Sequence, residues 1–214
     1  MESKAYFDSI AEDWETIRAG FFPPQVREKA LAIAGLQPGQ RALDVGAGSG
    51  FLTEGLLAAG LQVVACDQSE AMLRELRRRL GDPDGLQCLV GDAAALPLAE
   101  GSFDAVFANM VLHHMEDPGK AIGEWSRLLR AGGVLVVSDL DAHGHEFLLS
   151  EQHDRWLGFQ REDLQDWLRT ADLKGIKVDC AGADCCSESG CGDDKASISI
   201  FIASGRKGSR QEEL

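Results

Sequence analysis

LDVGAGSGF, residues 43–51, is the stretch on which the fold turns. An apolar strand pattern runs into Gly46-x-Gly48-x-Gly50, and a helical pattern follows at once. Glycine is needed where a ligand approaches the backbone too closely for a Cβ, and where a turn demands positive φ. The dinucleotide-binding fingerprint would put its third glycine at position 51, but Phe51 stands there. A lone glycine-rich turn is a weak signal, so its neighbours decide.

Those neighbours alternate. Residues 41–47, 62–67, 86–92, 103–109 and 133–140 are short runs rich in Val, Leu and Ala, apolar on both faces. Parallel strands covered by helices on each side require that pattern. Helical patterns lie between them at 52–59, at 70–80 (stopped by Gly81) and at 120–129, where Ile122, Trp125, Leu128 and Leu129 recur at helical spacing. Residues 163–170 read as a further helix, and GIKVDC (175–180) and SISIFIAS (197–204) as two strands. In the second, Ile198, Ile200 and Ile202 alternate with Ser197, Ser199 and Phe201, a half-exposed pattern. The expected fold is α/β: a doubly wound, mostly parallel, seven-stranded, Rossmann-like sheet closed by a C-terminal antiparallel hairpin. One domain is expected over residues 1–205, with 1–35 as an N-terminal helical lid and 206–214 as a polar tail.

The 214 residues carry a formal net charge of -14. That acidity repels phosphate backbones, and the densest basic run, Arg74 with Arg77, Arg78 and Arg79, closes a predicted helix where cations suit the dipole. Nucleic acid is therefore not an expected partner. The opening MESKAYFDSIAEDW has no signal-peptide character and no window reaches membrane-span length, so the expectation is a cytoplasmic chain with no membrane partner.

Two carboxylates close predicted strands beyond the glycine turn. Asp67 ends the second strand, where a carboxylate can accept both hydroxyls of a ribose, and Asp92 ends the third in GDAAALP. Ligands of such sheets bind outside the carboxyl ends of the strands.

Five segments in order, YFDSIAEDW, LDVGAGSGFLT, CDQSEAMLRELR, GDAAALPLAEGSFDAVFANMVLHHMEDP and EWSRLLRAGGVLVVSD, cover most of the chain. In these the sequence resembles the class I S-adenosylmethionine-dependent methyltransferases, notably the small-molecule branch that includes ubiquinone and menaquinone methyltransferases. The resemblance implies S-adenosylmethionine as methyl donor and S-adenosylhomocysteine as product. It implies that Asp44 and the turn residues Gly46, Ala47, Gly48 and Gly50 hold the methionine part, and that Asp67 takes the ribose. Gln68 and Met72 would line the adenine, Asp92 and Ala93 would reach its amino edge, and Asn109 would border the sulfonium. Tyr6 and Trp14 would sit on the lid. The residues by themselves leave alternatives: Asp44 and Asp92 also suit helix caps, and Met72 suits ordinary core.

Such a reaction is an in-line methyl transfer to a small-molecule acceptor, and it needs a base only if the acceptor must lose a proton. The tandem His113–His114 follows the fourth strand, and His143 and His145 follow the fifth beside Asp139 and Asp141. His114 and His145 are the candidate catalytic residues; Asp139 and Asp141 also fit solvated loop positions. A protein that binds S-adenosylmethionine or a soft metal without chemistry is the alternative from another class. An NAD-dependent oxidoreductase is disfavoured by Phe51.

The segment VDCAGADCCSESGCGDD holds Cys180, Cys185, Cys186 and Cys191. If GIKVDC runs parallel to the main sheet, its end points to the cofactor edge and these thiols sit on the rim of the site. The acidic neighbours disfavour free thiolates, whereas a soft metal or trivalent metalloid favours them. Three readings stand open: capture of trivalent arsenic or a similar element for methylation, a structural zinc, or a loop with incidental disulfides. The acceptor atom and the oligomeric state are not encoded in any motif.

Overall fold

The computed structural model describes residues 2–188 and 195–208. Helices α1 (Glu2–Ile10), α2 (Trp14–Phe21) and α3 (Pro24–Ala34) precede β1 (Arg41–Val45), α4 (Phe51–Ala58), β2 (Gln62–Asp67), α5 (Glu70–Leu80) and β3 (Leu86–Val90). After β4 (Phe103–Asn109) come a 3-10 turn (Leu112–His114), α6 (Pro118–Leu128) and β5 (Leu129–Leu140). The last elements are α7 (Phe147–Glu151), α8 (Arg161–Thr170), β6 (Leu173–Glu188) and β7 (Lys195–Lys207).

Among the described residues the strands form one seven-stranded sheet in the order β3-β2-β1-β4-β5-β7-β6. The first five are parallel; β7 runs antiparallel to both β5 and β6. Strand β6 therefore points the same way as β1, and its carboxyl end reaches the same edge. The chain order reverses between β1 and β4, which opens a crevice at their carboxyl ends.

Local chemistry sets the helix starts. Ser69 accepts the Met72 N–H at 3.1 Å and opens α5; Asp117 accepts the Lys120 N–H at 3.0 Å, and Pro118 takes the first turn of α6. Burial on both faces drives the assembly. One face packs Trp125, Ile122, Leu164 and Leu168 over Phe103 and Phe201; the other packs Val26, Ala30, Leu52 and Leu56 over Phe107, Ile200 and Ile202.

Two expectations change. Phe201 does not face outward with the serines of SISIFIAS: it is fully buried, because α6 and α8 cover the second face of β7 there. The cysteine segment is also mostly strand, since β6 continues to Glu188 across a register shift between Cys180 and Asp184. Cys180 stands opposite Phe201, Cys185 opposite Ile198 and Cys186 opposite Ser197. Because neighbours along a strand point to opposite faces, Cys185 is buried and Cys186 exposed. Phe201 and Ile198 belong to different core layers, so Cys180 lies on the face away from Cys185. A single four-thiol site is thus corrected: Cys180, Cys185 and Cys186 do not converge on one point, and Cys191 lies outside the described residues.

Asp44 is a further correction. Its carboxylate is 2% exposed, accepts the Thr53 hydroxyl at 2.6 Å, and does not line the cleft described below. Burial pushes its carboxyl up to about 7, with the neighbouring Asp67 adding to the rise and Thr53 opposing it. A carboxylate raised above its unfolded value stabilises the fold fully at acid pH and loses that contribution as pH climbs through the folded pKa. Wild type should therefore lose stability relative to Asp44→Asn between about pH 4 and pH 7. Urea denaturation of both proteins across that range checks it; parallel pH profiles would mean that Asp44 is charged at no cost.

Candidate active site

A cleft of about 1210 Å³, its open mouth included, lies at the carboxyl ends of β1, β2 and β4. The glycine turn forms its floor. At Gly46, with φ +65°, a Cβ would stand 2.6 Å from Val111 Cγ2, so the backbone must be bare there. The Gly48 N–H donates to Asp67 Oδ2 and the Ser69 N–H to Asp67 Oδ1, each at 2.8 Å. These bonds aim the Asp67 carboxylate across the turn. Burial pushes its pKa up, and the two N–H groups pull against that rise.

Gly46, Ala47, Gly48, Asp67, Gln68, Met72, Asp92, Ala93, Asn109 and Trp14 all line this cleft. Asp92 does so while accepting the Ala94 N–H at 2.9 Å in a tight turn; no helix starts there among the described residues, so the helix-cap alternative falls for this carboxylate. Asn109 is oriented by the Ser138 hydroxyl, which donates to its Oδ1 at 2.7 Å. Ala93 is held from behind by the buried Trp125, whose Nε1–H donates to its carbonyl at 2.9 Å.

Tyr6, Gly50 and His145 are turned elsewhere. The Tyr6 hydroxyl donates to Gln152 Oε1 at 2.9 Å, and its neighbour Phe7 takes the place in the cleft. Gly50 starts α4, where a Cβ would lie 2.9 Å from Leu76 Cγ; its bareness serves helix packing. His145 stacks on His143 at 5.6 Å, and neither lines the cleft.

The N-terminal helices roof the glycine turn. Trp14 lies against Gly48, and Glu15 accepts the Ser49 hydroxyl while pairing with Arg18 at 2.9 Å and Arg79 at 3.2 Å. The Ser69 hydroxyl donates to Asp8 Oδ1 at 2.6 Å. These ties join the roof to the start of α4 and α5.

Beyond Asn109 the floor becomes ionisable. Met110 adopts φ 54°, a left-handed conformation that costs about 1 kcal/mol or more for a non-glycine residue. The turn it makes brings the N–H groups of Leu112 and His113 onto Asp139 Oδ2 at 2.9 and 3.2 Å. Asp139, fully buried, also meets His113 Nδ1 at 2.6 Å. Asp139 is thus no solvated loop residue, and Asp141 is likewise paired with Arg161 at 2.7 Å. On its other side, His113 Nε2 lies 3.5 Å from Asp154 Oδ1. Burial opposes a charge on His113, but Asp139 and then Asp154 overcome it and lift the imidazole to about 9. His114, also lining the cleft, is held well below the usual range by burial and by the adjacent His113. Burial raises Asp154 to about 6, with His113 opposing.

The far wall is mainly apolar: Phe21, Phe22, Met110, Leu140 and Leu148, with Cys185 and Ser187 from β6. Burial, then Cys186 and Asp154, push the Cys185 thiol up to about 12. Phe7, Asp154 and Gln152 were not singled out from sequence. Asp154 and Gln152 lie just beyond α7 in no motif, and only the return of the chain toward His113 brings them in.

Residues 43–137 match the methyltransferase domain family. A demethylmenaquinone methyltransferase of Renibacterium salmoninarum is 40% identical over 64% of this chain and 58% of its own length. One from Thermobifida fusca is 32% identical over 77% of this chain and 70% of its own. The chain spans between 46% and 58% of the first four curated relatives it matches. Among solved structures, a chain from the complex of the Haloferax volcanii Trm112 methyltransferase activator with a methyltransferase superposes with a TM-score of 0.76. That match is 21% identical and covers 94% of this chain and 97% of the other, which speaks to the fold. Together with the glycine turn, the strand order and the carboxyl-edge cleft, these likenesses establish that the chain belongs to the class I S-adenosylmethionine-dependent methyltransferase family.

Proposed function

We propose that this protein transfers a methyl group from S-adenosylmethionine to a small, largely apolar acceptor of quinol type. The observation that carries the reading is a single cleft with two unlike halves: a bare glycine turn beside Asp67, and an apolar wall beside His113, His114 and Asp154. The first half fits the donor. Asp67 offers carboxylate oxygens for ribose hydroxyls, Gly46–Gly48 leaves room for a chain against the backbone, and Met72 and Ala93 present apolar walls to a base. Gln68, Asp92 and Asn109 are assigned to the same pocket, with Trp14 closing it from above.

S-adenosylmethionine supplies a positively charged sulfonium that activates its methyl group. The chain's own residues then have to align the partners and exclude water, and such positioning supplies roughly 7–11 kcal/mol of a barrier. The roof built on Phe7 and Trp14 serves the exclusion. His114, held neutral, can orient an acceptor hydroxyl or take its proton, while Asp139 fixes the ring of His113 beside it. The demethylmenaquinone methyltransferases among its relatives support a quinol acceptor.

One observation favours a second reading, a thiol-held metalloid as acceptor: Cys185 lines the cleft. Its own thiol is a poor nucleophile at neutral pH, but a bond to trivalent arsenic replaces the proton.

Asp67→Ala should weaken S-adenosylmethionine binding by more than about tenfold, since charge-assisted hydrogen bonds to both hydroxyls go with it. Calorimetry measures this directly, and wild-type affinity would remove Asp67 from the donor site. The reaction itself is tested by transfer of labelled methyl from S-adenosylmethionine to reduced demethylmenaquinone, with arsenite as a parallel acceptor. Labelled menaquinone supports the quinol reading. Labelled arsenic that disappears in Cys185→Ser replaces it with the metalloid one, and cofactor binding without any S-adenosylhomocysteine would make the protein a binder.

A further inference from the structure

Two imidazoles and a carboxylate converge on the cleft floor in a way the donor site does not use. His113, His114 and Asp154 each bring one ligand atom to within 4.8 Å of the others. His113 and Asp154 are buried, at 6% and 8% exposure, and His114 is half-buried.

Hydrogen bonding selects the atoms. His113 Nδ1 faces a carboxylate oxygen of Asp139 at 2.6 Å, and His114 Nδ1 faces the backbone carbonyl of His153 at 3.3 Å. A nitrogen facing an acceptor must carry the hydrogen, so in the neutral rings both Nε2 atoms keep their lone pairs. Metal-bound histidines are oriented in this manner, the second nitrogen donating to a carboxylate or a backbone carbonyl.

Distance separates the two carboxylates around His113. Asp139 has closed to 2.6 Å, whereas Asp154 Oδ1 stands at 3.5 Å from Nε2. A charge-assisted hydrogen bond would draw in to about 2.7–2.9 Å. Two ligands bound to one zinc at about 2.0–2.1 Å, with tetrahedral angles, stand roughly 3.4 Å apart. The Asp154 gap is that of co-ligands. Asp139 and Asp154 together also bring negative charge to a water-poor floor, where a cation is favoured.

We propose that His113 Nε2, His114 Nε2 and Asp154 bind a divalent transition metal ion, with zinc as the ion that two imidazoles and one carboxylate suit. Three protein ligands leave a fourth position for a substrate or water. In the proposed methyl transfer an acceptor hydroxyl bound there breaks its O–H bond more readily, keeping the electron pair on oxygen and passing the proton to water, so that His114 serves as a metal ligand in place of the base. That role rests on the methyl-transfer reading; metal binding does not.

The test is titration of the chelator-stripped full chain with zinc, in the absence of any methyl donor. One equivalent per chain is expected, with affinity at least about tenfold weaker in Asp154→Asn and in His114→Gln. Cobalt(II) in the wild-type protein should show visible d–d bands without thiolate charge transfer. Replacing Cys180, Cys185, Cys186 and Cys191 by serine should leave the zinc stoichiometry unchanged. Absence of saturable zinc binding overturns the proposal and leaves His113 as an imidazolium between two carboxylates. A thiolate band that vanishes in the cysteine-free variant overturns it too, by placing the metal on the cysteines. Since no donor is present, these outcomes are separate from those of the methyl-transfer assay.

Discussion

Asp139 is the buried charge around which the floor of the cleft beyond Asn109 is arranged. A carboxylate at the end of a central strand, without exposure, must be met by donors or it costs several kcal/mol. It meets the N–H groups of Leu112, His113 and Leu140 and the ring of His113. All of these but the Leu140 N–H come from the turn after β4, which reaches Asp139 because Met110 accepts a left-handed backbone. The hydrogen bonds made to Asp139 offset both its burial and the strain at Met110, and the pair of histidines is placed as a result.

The direction of the sheet does the rest. Parallel strands collect their carboxyl ends on one edge, so Asp67 of β2, Asn109 of β4 and Asp139 of β5 reach the same edge although far apart in the chain. The reversal of order between β1 and β4 keeps helices from covering that edge, and the roof of α1 and α2 is then tied on by Asp8 and Glu15. Strand β6, parallel to β1 although reached through an antiparallel partner, adds Cys185 and Ser187 to the wall. The part of the cleft over the glycine turn is lined by bare backbone and Asp67, while the wall beyond Asn109 is apolar with ionisable groups. One fold thus presents two surfaces of different chemistry within one cleft.

The cysteines show how a sequence pattern is divided by pleating. Spacing suggests a cluster, yet adjacent Cys185 and Cys186 on a strand must point apart, and the shifted register after Cys180 sends that residue to the other core layer. Of this cluster's described thiols, Cys185 enters the cleft, and burial keeps it protonated. The same separation of pattern from position applies to Asp44 and Gly50. Both belong to the glycine motif, and both serve α4 rather than the cleft: Asp44 by accepting Thr53, Gly50 by making way for Leu76.

The amino-acid sequence alone determined the sheet and the carboxylates at its carboxyl edge. Apolar runs of strand length, a glycine turn entering a helix and carboxylates at strand ends are local features, and local sterics and burial act on them wherever they stand. Asp67 and Asp92 were placed at the edge for that reason, while Gln68, Met72, Ala93 and Asn109 were named by the family resemblance; all six line the cleft because the strands' direction delivers them to one edge. Only the tertiary structure decided the rest. Whether Tyr6 or Phe7 enters the cleft depends on the rotation of α1 against Gln152, and His145 is excluded by where β5 ends. That Asp154 faces His113 depends on a return of the chain that no motif records. Those contacts join residues distant in sequence, and long-range packing, which carries no local signature, selects among them.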